Sequence, residues 1–426
     1  MSKITRRQFN QVLGAGVGAG IGTLALPGRI QAAGRPISIG WVSPDTGPLA
    51  SLAEGDKFVL SELKGILNKG IEVGGVRHPI QIITKDSRSD PNRAAEAAAE
   101  LILRDRVDLV LADSAPETTN PVADQCEQNH MPCLTTFAPW QPYFFGRGGD
   151  PKVGFKYTYH FFWGLEDITE AFCNLWDKVP TNRKVGAMWP NDGDGNAWSD
   201  PKIGWPPYLA KRNFELVDPG RVPAMSDDYS AAISLFKSKG VEIVTGVMLP
   251  PAFITFWTQA REQNFHPKIV SFGKSYLFPA SIEAMGTIGY GLTGEMWWNP
   301  SFPYKSSLTG QTAREFATLY ITKTGRQWTQ ALGSKHALFE VALDAIKRTG
   351  KIGDADALAL ALSQTKISSL AGELNFTKGP VKNVARNPLM VGQWQKGDKF
   401  AFDYKLVGND RYSWVKVEAP YQAITY

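Results

Sequence analysis

The sequence predicts an α/β protein with two lobes, each built around an open parallel β-sheet. Short apolar runs that end at polar residues alternate with segments of helical pattern, and this alternation occurs in two separate series. The first series begins at Ile37, and the second begins at Asp167, after a densely aromatic stretch from Tyr157 to Leu165. We interpret the aromatic stretch as the join between the lobes.

The first series starts with a predicted strand at Ile37 to Val42, followed by a helix at about Ser51 to Leu67. A second predicted strand, Ile80 to Thr84, leads to Asp90-Pro91, which is typical of a helix N-cap with proline at the first helical position. The pattern therefore predicts a helix from Ala94 to Arg104.

The stretch from Val107 to Trp140 completes the first series and predicts a binding crevice. Its first apolar run ends at Asp113, a polar segment of helical pattern follows, and a second apolar run ends at Thr136. Ligands of open parallel sheets bind at the carboxyl ends of the strands. We therefore expect the loops Asp113 to Thr119 and Thr136 to Trp140 to lie side by side and to line one crevice.

The second series repeats this order of strands and helices. Its strands end at polar or aromatic loops, and amphipathic helices connect them. The predicted strands are Lys184 to Met188, Ile243 to Val247 and Ile269 to Phe272, and the predicted helices are Asp167 to Lys178, one that begins near Asp228, and Pro251 to Gln263.

The remainder of the chain is predicted to return to the first lobe and to end in a β-rich tail. A strand-like crossing from Gly291 to Trp298 precedes helices that cover the first sheet. The helices are Thr312 to Thr324, Ser334 to Arg348 and Asp354 to Ser363, and the tail strands are Met390 to Gln395, Phe400 to Leu406 and Tyr412 to Val417. We assign residues 34–160 and 296–388 to lobe 1, and residues 161–295 and 389–426 to lobe 2.

The first 33 residues have the pattern of an export signal. Thr5-Arg6-Arg7-Gln8-Phe9 matches a twin-arginine motif, a mildly apolar run from Val12 to Leu26 follows, and a small-residue cleavage site lies near Ala32-Ala33. The apolar run holds five glycines, which makes it a poor membrane span. We predict that residues 1–33 are removed and that the twin-arginine export machinery delivers the folded chain to the periplasm.

Charge and cysteine content exclude several classes of protein. The formal charge of +5 falls to +1 once the four basic residues of the signal segment are removed, so nothing indicates a nucleic-acid partner. Three cysteines are too few for a disulfide framework. Cys126 and Cys133 either pair with each other or remain buried thiols.

We expect no metal, no cofactor and no catalytic residues. Asp192 to Asn196 resembles the start of a calcium loop, but Ala197 stands where glycine is needed and Ile203 where the closing glutamate is needed. Gly273-Lys274-Ser275 resembles the end of a phosphate loop, but Lys268 replaces its leading glycine. The five histidines are isolated, and no Ser-His-Asp, HExxH or cysteine-based arrangement is present.

A set of short motifs occurs in a characteristic order. The motifs are Ile39-Gly40-Trp41 with Thr46-Gly47-Pro48-Leu49-Ala50, Lys85-Asp86 with Asp90-Pro91, Thr119-Asn120-Pro121, and Asp228-Tyr229-Ser230 with Ile233, Phe236-Lys237 and Glu242-Ile243-Val244. Their order and spacing resemble the substrate-binding proteins of ABC transporters of the branched-chain amino acid type. The resemblance extends from about Ile37 to Gln395.

The resemblance implies a type I periplasmic binding fold, in which two Rossmann-like lobes are joined by a three-crossing hinge. It also implies that the lobes close on a small-molecule ligand and that the closed form is presented to the membrane permease of the ABC transporter. Such proteins are not enzymes, and we expect a monomer. The alternatives are a binding protein for branched-chain or other amino acids, a sensory receptor of the same fold, and an enzyme that uses the same cleft.

The resemblance further implies where a ligand carboxylate lies in the first lobe. Members that bind amino acids hold the α-carboxylate with N–H and O–H groups of the loops that correspond here to Asp113 to Thr119 and Phe137 to Trp140. Ser114 and Ala115 are available in the first loop, but Pro116 has no N–H to donate. The second loop is bulkier than the family pattern, so this sequence departs from the usual carboxylate site.

The second lobe departs further from the family pattern. The family places an acidic residue, which meets the ligand's ammonium group, in the loop that corresponds to Gly273 to Tyr276. This sequence has Lys274 or Ser275 there, according to a one-residue choice of alignment. A lysine cannot accept an ammonium hydrogen bond but can meet a carboxylate or a carbonyl. Lys274 therefore either binds such a group or points to solvent.

Aromatic residues at predicted strand ends and crossings indicate a planar or apolar ligand. These residues are Trp140, Phe162, Trp163, Trp189, Tyr276 and Trp298. We predict a small organic ligand that is aromatic or carries a carboxylate and that is not a standard amino acid. The predicted ligand-binding residues are Ser114, Ala115, Phe137, Ala138, Trp140, Phe162, Trp163, Asn191, Met248, Lys274, Tyr276 and Trp298.

Overall fold

Two large β-sheets organise the chain, one in each of two α/β lobes. The structure is a computed structural model that describes residues 34–426, so the predicted export signal at residues 1–33 lies outside the described residues. The strands are β1 (Ile37–Ser43), β2 (Ile71–Val73), β3 (Val76–His78), β4 (Ile80–Asp86), β5 (Leu109–Asp113), β6 (Cys133–Thr136), β7 (Thr158–Phe161), β8 (Lys184–Pro190), β9 (Glu215–Val217), β10 (Arg221–Val222), β11 (Ile243–Val247), β12 (Ile269–Gly273), β13 (Thr293–Met296), β14 (Lys366–Ser369), β15 (Gly372–Asn375), β16 (Val384–Ala385), β17 (Met390–Lys396) and β18 (Phe402–Gly408).

The helices pack around these sheets. They are α1 (Asp56–Lys69), α2 (Pro91–Ala99), α3 (Pro116–Gln128), α4 (Trp140–Phe144), α5 (Leu165–Trp176), α6 (Gly193–Trp198), α7 (Trp205–Lys211), α8 (Ser230–Lys239), α9 (Pro250–Glu262), α10 (Pro279–Glu283), α11 (Ala313–Thr324), α12 (Ala331–Arg348) and α13 (Ala355–Ser363). No helix formed by residues 34–426 combines the length and the apolarity that a membrane span requires.

Both sheets follow the doubly wound pattern. The first has the strand order β16-β7-β6-β5-β1-β4, and all of its neighbouring strands are parallel. The second has the order β10-β8-β11-β12-β13-β17-β18, with β9 also paired to β8. Its strands are parallel up to β13, and β17 and β18 then add an antiparallel edge. The winding direction reverses next to β1 and next to β8, which is where such sheets place their ligands.

Three crossing segments join the lobes. The chain leaves the first sheet after β7, returns after β13 and crosses again between β16 and β17. The crossing segments are residues 162–164, 297–312 and 386–389. The predicted fold class, two Rossmann-like lobes with a three-crossing hinge, is therefore confirmed.

Several helices begin where the sequence indicates. Asp90 caps α2, because its Oδ1 accepts a hydrogen bond from the Arg93 N–H at 2.7 Å. Thr312 and Glu315 form a reciprocal capping box at α11, with N–H···O distances of 2.8 and 3.2 Å. Each cap satisfies N–H groups that the first helical turn leaves without a partner.

The structure differs from the sequence prediction at two hairpin-sized segments. The prediction of a strand from Tyr412 to Val417 is wrong, because this segment forms a turn. The Asn409 side-chain amide stabilises the turn by donating to the carbonyls of Tyr412 and Val415, both at 2.7 Å. The hairpin of β2 and β3 was not predicted. Gly74 and Gly75 form its turn with φ of +58° and +80°, a conformation that glycine adopts at little cost.

The cysteines take the unpaired alternative. Cys126, Cys133 and Cys173 are all free and buried. Cys126 and Cys133 lie together in the apolar layer between α3 and the first sheet, where thiols act as small apolar side chains.

A buried lysine holds the first lobe together. Lys335 of α12 is completely buried and pairs with Asp113 at the end of β5 and Asp56 at the start of α1. The Trp41 indole donates to the second oxygen of Asp113 at 2.6 Å. Burial alone would lower the pKa of the Lys335 ammonium, but the two carboxylates outweigh it and raise that pKa. The charged lysine therefore fixes α12, α1 and β5 relative to one another.

We expect Lys335→Met to lower the free energy of unfolding by about 3–5 kcal/mol, because it leaves two buried carboxylates without a counter-charge. Urea denaturation followed by circular dichroism measures this loss. Lys323→Met is the matched control, because Lys323 on neighbouring α11 is half-exposed in its ion pair with Glu62, so we expect a change below about 1 kcal/mol. Equal losses in both variants would contradict a special role for the buried lysine.

Candidate ligand site between the lobes

The carboxyl ends of the two parallel sheets meet at a cavity between the lobes. Leu52, Ala115, Phe137 and Pro139 line it from the first lobe, Asp194, Trp198, Val247, Lys274, Leu277 and Glu295 line it from the second, and Trp163 and Trp297 line it from the crossing segments. Its volume is about 20 Å³, roughly the room that one water molecule needs. The lobes are thus closed on each other, and a larger molecule enters only when they separate or when lining side chains move.

Aromatic rings form much of the wall of this cavity. Phe137 and Trp297 lie 5.9 Å apart between ring centroids, and Phe162 packs behind the wall, 5.0 Å from both Trp163 and Trp297. On the other side, Trp198 approaches the end of β12 closely, because a Cβ on Gly273 would lie 2.5 Å from its ring. Glycine at this position makes room for the indole. The cavity therefore offers flat apolar surfaces from both directions.

Two cavity residues have an unusual backbone conformation. Phe137 has φ of +79° and Lys274 has φ of +63°, and each directly follows a strand of one of the two sheets. Non-glycine residues rarely adopt positive φ, and such strain tends to concentrate at functional sites. Both turns place a side chain in the wall of the cavity, and they do so from opposite lobes.

Lys274 connects the lobes electrostatically. Its Nζ lies 2.8 Å from Asp194 Oδ2 and 3.8 Å from Asp192 Oδ2 in the second lobe, and 3.3 Å from Glu117 Oε1 in the first turn of α3 in the first lobe. Its side chain is only 8% exposed, so it does not point to solvent. The lysine does meet carboxylates, but these carboxylates belong to the protein.

Burial shifts the pKa values of this cluster. Burial raises the pKa of Glu117 to about 7, although the nearby Lys274 charge opposes the rise. Burial also raises the pKa of Asp194, and it raises that of Glu295 well above its usual range. For Lys274, the neighbouring carboxylates outweigh burial and hold its pKa well above normal. Near neutral pH the site therefore contains a charged lysine and at least one carboxyl that keeps its proton.

Several buried polar atoms of the lining residues have no hydrogen-bond partner in the described part of the chain. The indole nitrogens of Trp163, Trp198 and Trp297 have no hydrogen-bond partner within residues 34–426. Nor, in the same part of the chain, do Asp194 Oδ1 and Glu295 Oε2. Buried polar groups without partners are uncommon because each costs about 1–3 kcal/mol. Residues of the cavity lining therefore carry three indole donors and two carboxyl oxygens without protein partners.

The structure brings together four of the twelve predicted ligand-binding residues at the cavity wall. These are Ala115, Phe137, Trp163 and Lys274. Four more are buried beside it without lining it: Ser114, Ala138, Phe162 and Met248. Both predicted loops of the first lobe contribute to the cavity, as expected from the positions of their strands.

The other four predicted residues lie away from the cavity wall. Trp140 starts α4 and donates its indole N–H to Glu166 at 3.0 Å. Tyr276 donates to the Thr293 carbonyl at 2.8 Å inside the second lobe, and Trp298 donates to the Leu370 carbonyl at 2.9 Å. Asn191 is exposed. These side chains are occupied by local packing or lie in solvent.

Several lining residues were not among those predicted. Trp297, rather than its neighbour Trp298, faces the cavity, because adjacent side chains beyond β13 point to opposite sides. Asp194 belongs to the segment that resembles a calcium loop, and Trp198 follows two residues after the end of that segment. Glu295 lies inside the short buried strand β13, where acidic residues are rare. An acidic residue in a predicted buried strand could therefore have marked it as a candidate site residue from the sequence.

The segment that resembles a calcium loop has another role in the structure. Asp192 caps α6 by accepting the Gly195 N–H at 2.7 Å, and Asp194 pairs with Lys274. Within residues 34–426, no three His, Cys, Asp or Glu side chains are arranged to hold a metal ion. The ammonium group of Lys274 supplies the positive charge between these carboxylates.

Comparison with known proteins relates this architecture to one family. The sequence profile of a family described as periplasmic binding protein matches residues 36–399. A leucine binding protein from Thermotoga maritima shares 18% identity at a TM-score of 0.69, over 88% of this chain and 99% of that one.

Two solute binding proteins of ABC transporters from Rhodopseudomonas palustris are similarly related. One, in complex with 3,4-dihydroxybenzoic acid, has 17% identity and a TM-score of 0.70 over 90% of this chain and 99% of that one. The other, in complex with 4-hydroxybenzoate, has 16% identity and a TM-score of 0.70 over 88% and 96%. At identities this low, the likeness establishes a shared fold.

The raised pKa of Glu117 predicts a pH-dependent stability. The folded carboxyl keeps its proton up to about pH 7, whereas the unfolded one releases it near 4.5. The titration of Glu117 therefore lowers the free energy of unfolding as the pH rises from about 5 to 7, by at most about 1.4 kcal/mol per pH unit. Glu117→Gln removes the titration, so its stability relative to the wild type should rise over this interval.

Urea denaturation at pH 5, 6, 7 and 8 measures this difference. Glu262→Gln, at an exposed position in α9, is the control and should give a profile parallel to that of the wild type. A parallel profile for Glu117→Gln would show that this carboxyl does not hold a proton in the folded state.

Proposed function

The chain belongs to the periplasmic binding protein family, and from that premise we propose that it is the solute-binding component of an ABC uptake system. It binds a small organic ligand between its two lobes and presents the closed form to a membrane permease. The observation that supports this proposal most directly is the cavity at which both sheets end. Polar and aromatic groups from both lobes reach it, so a ligand bound there favours closure.

An aromatic ligand with polar groups at its ends fits this lining best. Its ring lies among Phe137, Trp163 and Trp297. An oxygen of the ligand accepts hydrogen bonds from the free indole N–H groups, and a hydroxyl or N–H at the other end donates to Asp194. A ligand carboxylate is therefore held by the indoles, because Lys274 already has three protein carboxylates around it.

An amino acid is the second candidate ligand. The free oxygen of Asp194 is suited to an ammonium group, whatever the ligand's side chain, whereas the buried carboxyl of Glu295 keeps its proton. The two candidates differ in a simple way, because an aromatic acid such as 4-hydroxybenzoate has no amino group.

Ligand screening distinguishes these candidates. We expect 4-hydroxybenzoate or 3,4-dihydroxybenzoate to raise the melting temperature of the mature protein and to bind in isothermal titration calorimetry. Stabilisation by leucine and isoleucine alone would favour the amino acid instead. If no small molecule of either class binds, the solute-binding proposal fails for both.

For the ligand found in this way, Trp163→Phe and Trp297→Phe should each weaken binding about tenfold, because each removes an indole N–H but keeps a ring. Calorimetry measures the dissociation constants. Trp328→Phe is the matched control, since Trp328 is half-buried outside the cavity lining, and its affinity should equal that of the wild type. Unchanged affinity in both cavity variants would remove the indoles from the site.

We also propose export to the periplasm by the twin-arginine route. The double variant Arg6→Lys with Arg7→Lys should leave the chain uncleaved in the cytoplasm, because the export receptor requires the arginine pair. Cell fractionation and N-terminal sequencing measure the result. Arg29→Lys, in the same segment but outside the motif, should still be exported, and equal export of both variants would argue against this route.

A further inference from the structure

A second and larger cavity lies at the crossing segments. Its volume is about 500 Å³, within the usual range of small-molecule pockets. Asp167 lines it just after the first crossing, Tyr304 belongs to the second crossing segment and Asn387 to the third, and Trp414 comes from the C-terminal tail. We call it the hinge cavity. Both this cavity and the cavity between the lobes lie near the hinge, but they have no lining residue in common.

Two buried polar side chains of the hinge cavity lack partners. Asn387 is only 3% exposed, yet neither its amide nitrogen nor its amide oxygen has a hydrogen-bond partner within residues 34–426. The Tyr304 hydroxyl is also buried and is likewise unpartnered in the described chain. A buried amide without any hydrogen bond is costly to a protein, so Asn387 leaves one donor and one acceptor for a molecule bound in the cavity.

Aromatic rings flank these polar atoms. Tyr304 and Trp414 are 5.6 Å apart between ring centroids, and Tyr412 lies 5.4 Å from Trp414. Trp414 is 43% exposed, so part of its ring surface is not covered by protein. A flat molecule could pack against this ring while its edge reaches the amide.

The charges of the hinge cavity balance. Its charged lining residues are Asp167, Glu373, Arg386 and Arg411. Arg411 Nη1 lies 2.6 Å from Asp167 Oδ1, and Arg386 Nη1 lies 2.9 Å from Glu166 Oε1. Because both guanidinium groups already have carboxylate partners, the cavity favours a neutral ligand over an anion.

We propose that the hinge cavity is a second binding site, for a small neutral planar molecule with a carboxamide or lactam edge. The adjacent N–H and C=O of that edge pair with the amide oxygen and nitrogen of Asn387, and the ring of the molecule packs on Trp414. An amide edge matches an amide side chain because each offers one donor next to one acceptor. The Tyr304 hydroxyl provides a further hydrogen bond.

Binding of benzamide and uracil to the mature protein tests this site, with ligand-observed NMR titration giving the dissociation constants. We expect both to bind, and we expect methyl benzoate, which has the ring and the carbonyl but no N–H, to bind at least tenfold more weakly than benzamide. Asn387→Leu should weaken benzamide binding at least tenfold, and Tyr304→Phe, which keeps the ring, should weaken it severalfold.

The control variant is Trp163→Phe in the cavity between the lobes, which should leave benzamide affinity unchanged. If this variant weakens binding and the Asn387 and Tyr304 variants do not, benzamide occupies the other cavity and the proposal is overturned. Absence of binding by both probes to the wild type would also overturn it. Should Asn387→Leu fail to fold, Tyr304→Phe and the position of benzamide in a soaked crystal still decide the outcome.

Discussion

The closed arrangement of the two lobes depends on one buried ammonium group. Lys274 directly follows β12 in the middle of the second sheet. One of its three carboxylate partners, Glu117, nevertheless belongs to the first lobe. A buried charge is tolerated only when it is paired, so removing the contact between lobes leaves charges whose burial is costly. The interaction therefore fixes the end of β12, helix α6 and the start of α3 at mutual distances that leave only a small cavity.

A second buried lysine, Lys335, stabilises the wall that the first lobe contributes to the cavity. Lys335 anchors Asp113 at the end of β5, and its ammonium group also lies 5.2 Å from the centre of the Phe137 ring in the cavity wall. The two lysines stabilise opposite walls of one space, whose surface is aromatic and whose free polar atoms are indole N–H groups and carboxyl oxygens. Such a surface is suited to a flat ligand with polar ends, as proposed for this receptor.

The architecture was predictable because it depends on local patterns. Alternating strands and helices predicted both sheets, and the capping residue Asp90 predicted the start of α2. The side-chain partners were not predictable. Glu117 and Lys274 are 157 residues apart in sequence, so no local pattern relates them. Choosing Trp297 over Trp298 required knowing at which residue β13 ends, since a shift of one residue reverses the side that a side chain faces.

The most direct test of this account is the size of the ligand-free protein in solution. Small-angle X-ray scattering at pH 8 gives the radius of gyration of the wild type and of Glu117→Ala, which removes the carboxylate that the first lobe contributes to Lys274. If this ion pair holds the lobes closed, the variant has a larger radius of gyration than the wild type. Equal radii would contradict the claim that the buried lysine joins the two lobes.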